Sequence, residues 1–484
     1  MLAAGLLIGL VLGGPAGPAR PARYVPLGGS VAAPADALSS SWYCAGATDD
    51  RGGAASGRLV LTNASGRSLE AHVSIVSDGA ARRAEEVSVA PRAAVTVPET
   101  VAGGAPWVAA IVSLDGGSVT VEQETSGPLG PTAEPCATTV SASWYFAAGE
   151  TLVNANSTIS LLDPTAAPAI VDLAFTTDEG REQPGAFQGI VVPAGGLVEV
   201  SLRSQLRRRS TIATTVTATS GAVVAWKTDV VARPAKGAVI LGTAAARAPL
   251  ADPASPYVGV SEVAGAPAAS TRWWWPEGIT GRGRVEQYEV YNPGARTARV
   301  ALTVALEQGS AEPFDLTVGP GQVATLATST AARIPNGVAY GASLRSLDGV
   351  PVVAEQTATE AAPASGRGST EVVGATTPAR RWLVAVTSVG WDHEATLTVA
   401  GVSGRPASVR IYELERGRAL PVPGLSVLHL DGRAPLVVDL ARLSSRITGP
   451  LVVEASRRVV VARQLLGTGR TGGVTASLGV PLPG

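Results

Sequence analysis

Short segments in which hydrophobic and polar residues alternate run along most of the chain, separated by turns rich in glycine, proline and asparagine. In residues 71–75 and 300–304, for example, every second position is apolar. A period of two buries one face of a β-strand. No stretch has a convincing helical period, so the pattern predicts an all-β protein built from short antiparallel strands.

Four short segments, which we call aromatic motifs, each precede the same order of predicted strands. The aromatic motifs begin at Trp42, Trp144, Trp273 and Trp382. Each is followed by a strand ending in an Asx or Pro turn, an alternating strand, a turn-then-strand unit and a hairpin with a tight tip. Six or seven short strands per copy fit an antiparallel sandwich. The sequence therefore predicts four tandem immunoglobulin-like β-sandwich modules arranged in series.

The spacing of the aromatic motifs sets the domain boundaries. We predict modules at residues 41–133, 134–233, 271–363 and 364–484, the last of them a degenerate copy. The second and third modules are separated by a linker at residues 234–270, which is rich in alanine and proline. It contains the apolar run 238–241, so we expect partial order there, and we expect the main bend of the chain in this linker.

The N-terminal segment indicates export. Residues 2–12 are apolar throughout, but as a helix they would reach only about 16 Å, short of a hydrocarbon core of about 30 Å. We therefore predict a signal or anchor segment at residues 1–14 and a flexible stalk at residues 15–40. Cleavage and N-terminal membrane anchoring both remain open.

Two cysteines bracket the first predicted module. In an exported chain, the even number of cysteines predicts a disulfide between Cys44 and Cys136. The alternative is a pair of buried thiols.

Composition narrows the classes of partner. Apolar residues make up 45% and charged residues 16% of the chain, which is typical of a globular protein and not of a disordered one. The net charge of −1 provides no field that favours nucleic acid. We predict no nucleic-acid partner. The expected partner is an envelope protein or a cell-wall glycan.

Polar residues recur at one place in each module, on the strand that leaves the last tip. They include Glu122, Gln123, Lys227, Glu355, Gln356, Arg463 and Gln464. A glycosidase needs two carboxylates that converge in one cleft, whereas these residues occur once per module. We interpret them as contacts at module junctions and predict no catalytic residue.

The remaining titratable residues give no recognised site. The three histidines lie in three different sequence settings without metal-ligand spacing, so we predict no metal and no cofactor. The densest cluster, residues 392–394, lacks an accompanying nucleophile motif. A hydrolase that uses Asp392 or His393 is therefore only a third hypothesis.

The aromatic motifs have two interpretations, because buried rings stabilise a small module and exposed rings can stack on sugars. We predict structural roles for Trp42, Tyr43, Trp144, Tyr145 and Trp382. Three consecutive tryptophans cannot all face one side of a strand. We therefore predict a glycan-binding or partner-binding site at Trp273, Trp274 and Trp275, and expect Trp274 and Trp275 to be more exposed than Trp42 and Trp144.

Some of these segments resemble a known family. Residues 144–149 (WYFAAG), 161–164 (LLDP) and 353–356 (VAEQ) resemble the "WYFAEG … NP … AER" repeats of bacterial surface and secreted proteins. The layout from residue 41 to the C-terminus resembles an uncharacterised actinobacterial secreted family with a domain of unknown function. The resemblance implies export and β structure, and it brings no catalytic residue.

The leading hypothesis is an exported, non-enzymatic protein of the cell envelope that acts as a scaffold or interaction module. The alternative is a protein that binds glycan or cell-wall polymer through the exposed tryptophan of the third module.

Overall fold

A computed structural model describes residues 29–50, 53, 55–127, 129–152, 155–231, 259–280, 284–306, 311–361, 367–385, 393–415, 417–440, 442, 447, 449–467 and 473–483. These residues confirm the all-β prediction. Among the described strands, pairing is antiparallel except for one parallel pair, Thr48 with Ser56. Short 3₁₀ turns within the described residues include Gly185–Phe187, Leu202–Ser204 and Thr328–Thr330. No helix among the described residues is long and apolar enough to cross a membrane.

The strands in the described part of the chain pair in six sheets. The strands before the long gap at residues 232–258 are β1 (Ser40–Asp49), β2 (Ser56–Asn63), β3 (Leu69–Ser77), β4 (Arg82–Val89), β5 (Ala93–Pro98), β6 (Ala105–Leu114), β7 (Val119–Gly127), β8 (Gly130–Pro135), β9 (Ser143–Phe146), β10 (Ala155–Asp163), β11 (Ala169–Thr177), β12 (Gly180–Glu182), β13 (Ile190–Val192), β14 (Gly196–Ser201), β15 (Ile212–Ser220) and β16 (Val224–Val231). The strands after it are β17 (Gly259–Ala264), β18 (Arg272–Ile279), β19 (Arg284–Tyr291), β20 (Ala298–Leu306), β21 (Phe314–Val318), β22 (Val323–Ala327), β23 (Ala339–Ser346), β24 (Val353–Ala361), β25 (Arg367–Val373), β26 (Ala379–Val384), β27 (His393–Gly401), β28 (Ala407–Glu415), β29 (Arg418–Pro421), β30 (Leu428–Leu430), β31 (Leu436–Asp439), β32 (Leu451–Gly467), β33 (Val474–Leu478) and β34 (Val480–Leu482).

One arrangement of strands recurs along the chain and consists of an outer sheet, which contains the aromatic motif, and an inner sheet. The outer sheets have the strand orders β1-β6-β3-β4, β9-β15-β11-β12, β18-β23-β20-β21 and β26-β32-β28-β29. The inner sheets have the orders β5-β2-β7-β8, β14-β10-β16-β17, β22-β19-β24-β25 and β31-β27-β32-β33. We call each outer sheet with its inner sheet a unit. The Thr48–Ser56 pair joins the two sheets of the first unit, and the long β32 runs through both sheets of the last.

The predicted hairpins at the end of each module are wrong. The tip at residues 114–117 joins β6, which pairs with β1 and β3, to β7, which pairs with β2 and β8. The chain therefore crosses there from the outer to the inner sheet. In the last unit the predicted tip at residues 456–458 lies within the continuous strand β32. Turn residues such as Asp-Gly allow a tight corner, but they do not decide whether the flanking strands pair.

The inner sheets end at strands that contact one another. We call β8, β17, β25 and β33 the connector strands. β8 contacts β17 and β33, and β25 contacts the same two strands, so the connector strands close into a ring. The units therefore surround a common axis instead of following one another in an open series.

Glycines permit this close approach of backbones. A glycine lies at or beside the start of each connector strand, namely Gly130, Gly259, Gly368 and Gly473. A Cβ atom on Gly259 would clash with the backbone nitrogen of Ser369, and one on Gly368 would clash with that of Val474. A side chain at either glycine would therefore push neighbouring connector strands apart.

Residues at the two ends of the described chain meet at the closure of this ring. The Ala32 N–H donates to the Pro481 carbonyl at 3.2 Å, and Ser30 Oγ donates to the Cys136 carbonyl at 2.6 Å. The last part of the predicted stalk at residues 15–40 is therefore attached to the body. Residues 1–28, with the predicted signal or anchor, lie outside the described residues.

The predicted disulfide is present. Cys44 and Cys136 are bonded, with 4.8 Å between their Cα atoms and a separation of 92 positions in the sequence. The bond links the first aromatic motif to the residue that follows β8.

The predicted linker at residues 234–270 is partly strand. Its later part contains β17, which pairs along its length with β16 and so belongs to the second inner sheet. The apolar run 238–241 and the larger part of the linker in which we expect the bend lie in residues 232–258, outside the described residues.

Candidate functional site: the unit junctions and a groove beside Trp274

The first tryptophan of each aromatic motif lies in the hydrophobic core. Trp42, Trp144, Trp273 and Trp382 are between 0% and 1% exposed. Three of their indole N–H groups donate to backbone carbonyls where the inner strand begins: Trp144 to Val223 at 2.7 Å, Trp273 to Val352 at 2.9 Å and Trp382 to Val459 at 3.1 Å. Such a bond satisfies the polar atom of a buried indole. Among the described residues, Trp42 Nε1 has no acceptor.

The second residue of each aromatic motif joins the motif to the chain that follows the connector strand. Tyr43, Tyr145 and Trp274 are half-buried. Their backbones exchange pairs of hydrogen bonds of 2.9–3.0 Å with Ala137, Ala266 and Ala375, respectively. In the last aromatic motif Leu383 pairs in the same way with Val480 of β34.

Burial removes two of the three tryptophans, Trp273 and Trp275, from the predicted binding site. Trp275 is 1% exposed, and its indole N–H donates to the Val372 carbonyl at 3.0 Å. Its ring also packs edge-on against Tyr288, with 5.0 Å between centroids. Alternation along β18 buries Trp273 and Trp275 on one face, so Trp274 is the member of the three that retains exposure.

One polar side chain on the long inner strand of each unit donates a hydrogen bond to a carbonyl in or just after the aromatic motif. The pairs are Gln123 to Ala45 at 3.1 Å, Lys227 to Ala148 at 2.6 Å, Gln356 to Glu277 at 2.8 Å, and Arg463 to Ala385. Arg463 therefore occupies the position of Gln123, although the sequence pattern placed it at the Glu122 position, one residue away.

The junction between the second and third units is an ionic cluster around Lys227. Glu355, from the third unit, accepts hydrogen bonds from the backbone N–H groups of Ala147 and Ala148 at 2.9 and 3.0 Å. Its Oε2 also lies 3.2 Å from Lys227 Nζ. Lys227 and Glu355 are 1% and 0% exposed. The Glu355 carboxylate thus binds the second aromatic motif from a neighbouring unit.

The junction between the first and last units repeats this arrangement with different residues. Arg463, in the last unit, donates one guanidinium nitrogen to the Ala385 carbonyl of its own unit and another to Glu122 of the first unit. Both side chains are buried. Glu122 and Glu355 therefore both reach a cation in the unit that precedes them around the ring.

Three carboxylates surround the single ammonium group of Lys227. Nζ lies 2.8 Å from Glu371 Oε2 and 3.3 Å from Asp229 Oδ2, in addition to its contact with Glu355. Burial lowers the pKa of Lys227, but attraction to Asp229, Glu355 and Glu371 outweighs burial and holds that pKa well above its usual range. Burial and repulsion by Asp229 raise the pKa of Glu371 against the attraction of Lys227.

The axis also contains carboxyl groups with raised pKa values. Burial raises the pKa of Glu262 to about 8, although hydrogen bonds from Thr132 and Thr125 oppose the shift. Burial likewise raises the pKa of Glu122 to about 7, against the attraction of Arg463. Glu262, from the second unit, accepts these hydrogen bonds from Thr125 and Thr132 of the first unit at 3.2 and 3.1 Å, so the ring brings together groups that the sequence separates by 137 and 130 positions.

These contacts serve cohesion between units. Lys227 and Glu355 bind each other and the backbone of the second aromatic motif while shielded from solvent. Within the described ranges, no group of three or more His, Cys, Asp or Glu residues could hold a metal ion. His72 and His429 are exposed on separate outer sheets. Asp392 and the side chain of His393 lie outside what the structure describes.

An open groove lies between the outer sheet of the third unit and loops of the last. Its cavity volume is about 380 Å³. Trp274, Ser343 and Thr303 form a row across its floor on three adjacent strands. The end of β27 with the loop that follows it, at residues 400–404, and the loop at residues 432–435 form the opposite wall.

Sequence reasoning missed the ring, although a signal was present. Gly130, Gly259 and Gly368 each precede the first tryptophan of the next aromatic motif by 14 residues, and Gly473 begins the matching segment at the C-terminus. A hydroxyl residue follows each glycine two positions later, namely Thr132, Ser261, Thr370 and Thr475. Thr475 accepts from the Ala133 N–H at 3.2 Å and Thr370 from the Ala476 N–H at 2.9 Å, so these hydroxyls bridge adjacent connector strands.

The chain is similar to several solved structures at low identity. It shares 20% identity with Thermotoga maritima 1070, covering 22% of this chain and 93% of that one, with a TM-score of 0.20. It shares 22% identity with the Anabaena sensory rhodopsin transducer, covering 18% of this chain and 88% of that one, with a TM-score of 0.17. It shares 11% identity with a Streptomyces avermitilis α-L-rhamnosidase complexed with L-rhamnose, covering 86% of this chain and 55% of that one, with a TM-score of 0.12. TM-scores this low do not establish a shared fold.

Family membership rests on the sequence. No curated protein matches the chain. A family model described as "Family of unknown function (DUF5719)" matches residues 118–418, more than half of the chain. The match begins in the first unit and ends in the last. The chain therefore belongs to the DUF5719 family of unknown function.

Proposed function

We propose that this protein is an exported, non-enzymatic component of the cell envelope that acts as a rigid scaffold or interaction module. The observation that carries the proposal is that the buried ionic groups of the protein connect neighbouring units. Lys227, Glu355, Arg463 and Glu122 bind one another and nearby backbone across unit boundaries. An enzyme needs reactive groups that reach a substrate, and these groups are occupied in holding units together.

We further propose that the units are four immunoglobulin-like repeats closed into a ring. The shared strand order, the indole-to-carbonyl bond and the glycine that begins each connector segment support a common origin. A closed ring fixes the units relative to one another, which suits a spacer that presents surfaces at set distances.

Export is part of this proposal. The Cys44–Cys136 disulfide is the kind of bond that persists in an oxidising compartment. The proposed location is extracytoplasmic, either secreted or attached through the N-terminal segment. The proposed partner is an envelope protein or a cell-wall glycan, without nucleic acid.

Complementation of a deletion strain tests the scaffold role, after fractionation has established the location of the protein. Variants that replace the exposed histidines, His72→Ala and His429→Ala, are expected to restore the envelope phenotype fully. Lys227→Met is expected to restore it poorly, with proteolysis of the exported protein. Loss of complementation in a histidine variant that folds normally would refute a purely structural role, as would full-length protein confined to the cytoplasm.

Glycan binding is the second candidate function. Trp274 favours it, because this half-buried indole lines the groove described above while its two neighbours lie in the core.

A further inference from the structure

The groove beside Trp274 has the composition of a saccharide site. Its floor carries the indole of Trp274 and, in the same cross-strand row, the hydroxyl groups of Ser343 and Thr303. An indole offers an apolar surface, and each hydroxyl both donates and accepts hydrogen bonds. A pyranose ring needs this combination, since its apolar C–H groups and its hydroxyl groups are presented together.

Small residues make the space. Ala305 and Gly341 continue the floor, and Gly401, Gly404 and Gly432 contribute to the opposite wall. A Cβ atom on Gly341 would lie 3.5 Å from Ala400 Cβ, so the floor and wall approach each other at that end. The volume of about 380 Å³ is at the lower end of the range for small-molecule sites. It therefore suits one or two sugar rings of a longer polymer.

The charged and polar residues that line the groove exclude some classes of ligand. None of the described residues that line the groove is acidic, and Arg433 is its one described cation. A polyanion would need several cations. A lipid chain would leave the hydroxyls of Ser343 and Thr303 unsatisfied when it covered them, which costs free energy. The exposed guanidinium of Arg433 at the rim donates in a planar fork that suits carboxylates and hydroxyl groups.

We propose that this groove binds a pyranose unit of a cell-wall polysaccharide, with Trp274 as the stacking surface and Ser343, Thr303 and Arg433 as hydrogen-bonding partners. The inference rests on the extracytoplasmic location proposed above and deepens the second candidate function. It assigns the site to a junction between two units, so an intact ring is required to form it.

A comparison within the chain provides a matched control. Tyr145 occupies the same position in its aromatic motif as Trp274 and is also half-buried. Its cross-strand neighbour Thr215 is hydrogen-bonded to the Tyr291 hydroxyl at 2.9 Å. The corresponding space beside Tyr145 is therefore occupied by the protein's own aromatic side chain, and truncation of Tyr145 should leave saccharide binding unchanged.

The test is a ¹⁹F NMR titration of the full chain labelled with 5-fluorotryptophan. The probes are soluble fragments of arabinogalactan, glucan and peptidoglycan. Trp274→Phe identifies the Trp274 resonance among those of the nine tryptophans. We expect a saturable shift of this resonance with at least one fragment, while the resonances of the buried Trp144 and Trp382 remain in place.

Calorimetry with the fragment that binds then measures how much each residue of the groove contributes to the affinity. Trp274→Ala and Ser343→Leu are each expected to weaken binding by at least about tenfold, and Tyr145→Ala is expected to bind like the wild type. Ser343→Leu fills the floor without removing a core side chain, so it decides the question if Trp274→Ala unfolds. Arg433→Gln should weaken binding of the peptidoglycan fragments, which carry carboxylates, more than binding of neutral glucan.

Two results would overturn the inference. One is the absence of any saturable shift with all three fragment classes in a folded wild-type protein. The other is undiminished binding in Ser343→Leu with melting temperature unchanged. Neither result affects the scaffold proposal, which fails separately if the protein is cytoplasmic or if the histidine variants do not complement.

Discussion

Replacement of Lys227 by methionine tests the ionic junction between the second and third units. Methionine keeps much of the aliphatic stem but removes the ammonium that contacts Glu355, Asp229 and Glu371. These carboxylates are buried, with exposures of 8% or less for their side chains. Because a buried charge without its partner is strongly unfavourable, the substitution should destabilise the ring.

The expected magnitude follows from burial. Removal of one partner of a buried ion pair costs about 3–5 kcal/mol, whereas an exposed pair contributes about 0–1 kcal/mol. Arg381 and Glu454 form a pair at 3.1 Å with exposures of 43% and 38%, so Arg381→Gln is the matched control. We expect Lys227→Met to lower the free energy of unfolding by about 3–5 kcal/mol and Arg381→Gln to lower it by less than about 1 kcal/mol.

Chemical denaturation followed by intrinsic fluorescence measures both variants. The double variant with Glu355→Gln should recover part of the loss, because it removes one of the uncompensated charges. The penalty for Lys227→Met should also be smaller at pH 5 than at pH 8, because burial raises the pKa of Glu371 and this carboxyl group can be protonated at the lower pH. A loss no larger than that of Arg381→Gln, or one independent of pH, would refute the interpretation of Lys227 as the centre of a buried ionic junction.

Three further predictions concern the core, the axis and the ring. Trp144→Phe should destabilise more than Trp42→Phe in thermal unfolding, because the Trp144 indole donates a buried hydrogen bond to the Val223 carbonyl that the substitution removes, whereas the Trp42 indole N–H has no acceptor among the described residues; equal losses would contradict this. The Glu262 carboxyl has a pKa of about 8 when folded and an ordinary, lower pKa when unfolded, so its contribution to stability is complete at acid pH and is lost as pH rises through the folded pKa. The loss should be about 2 kcal/mol between pH 6 and pH 8 in denaturation experiments, and Glu262→Gln should flatten this part of the profile. Gly368→Ala should lower the melting temperature through a clash with the backbone of the next connector strand, whereas Gly185→Ala, with open space around its Cβ, should change it little.

Local structure was predictable from the sequence because short-range patterns determine it. The alternation in residues 300–304 indicated the central part of β20, and the Asn-Pro turn after residue 291 ended β19 where expected. The spacing of the aromatic motifs also indicated a recurring order of strands. The disulfide followed from the even cysteine count and the apolar N-terminus.

The arrangement of the units could not be predicted in the same way. Glu122 and Arg463 are 341 positions apart, and Lys227 and Glu355 are 128 apart. The residue types allow many other ion pairs. The recurrence of polar residues on the inner strands therefore indicated a junction between units, but it did not show which residues would pair. The burial of Trp275 could not be predicted for a similar reason. Strand alternation showed that the three tryptophans must divide between the two faces of the strand, but it did not show which face was inside.

The central claim is that the connector strands close the units into a ring. Small-angle X-ray scattering of the full chain tests it most directly. A compact particle of this length should have a radius of gyration of about 23 Å, with a distance distribution that has one maximum. An open series of four sandwiches should be elongated, with a radius of gyration well above that of the compact particle and a long tail in the distance distribution. The compact result is the one predicted, and the elongated result would contradict the closed ring.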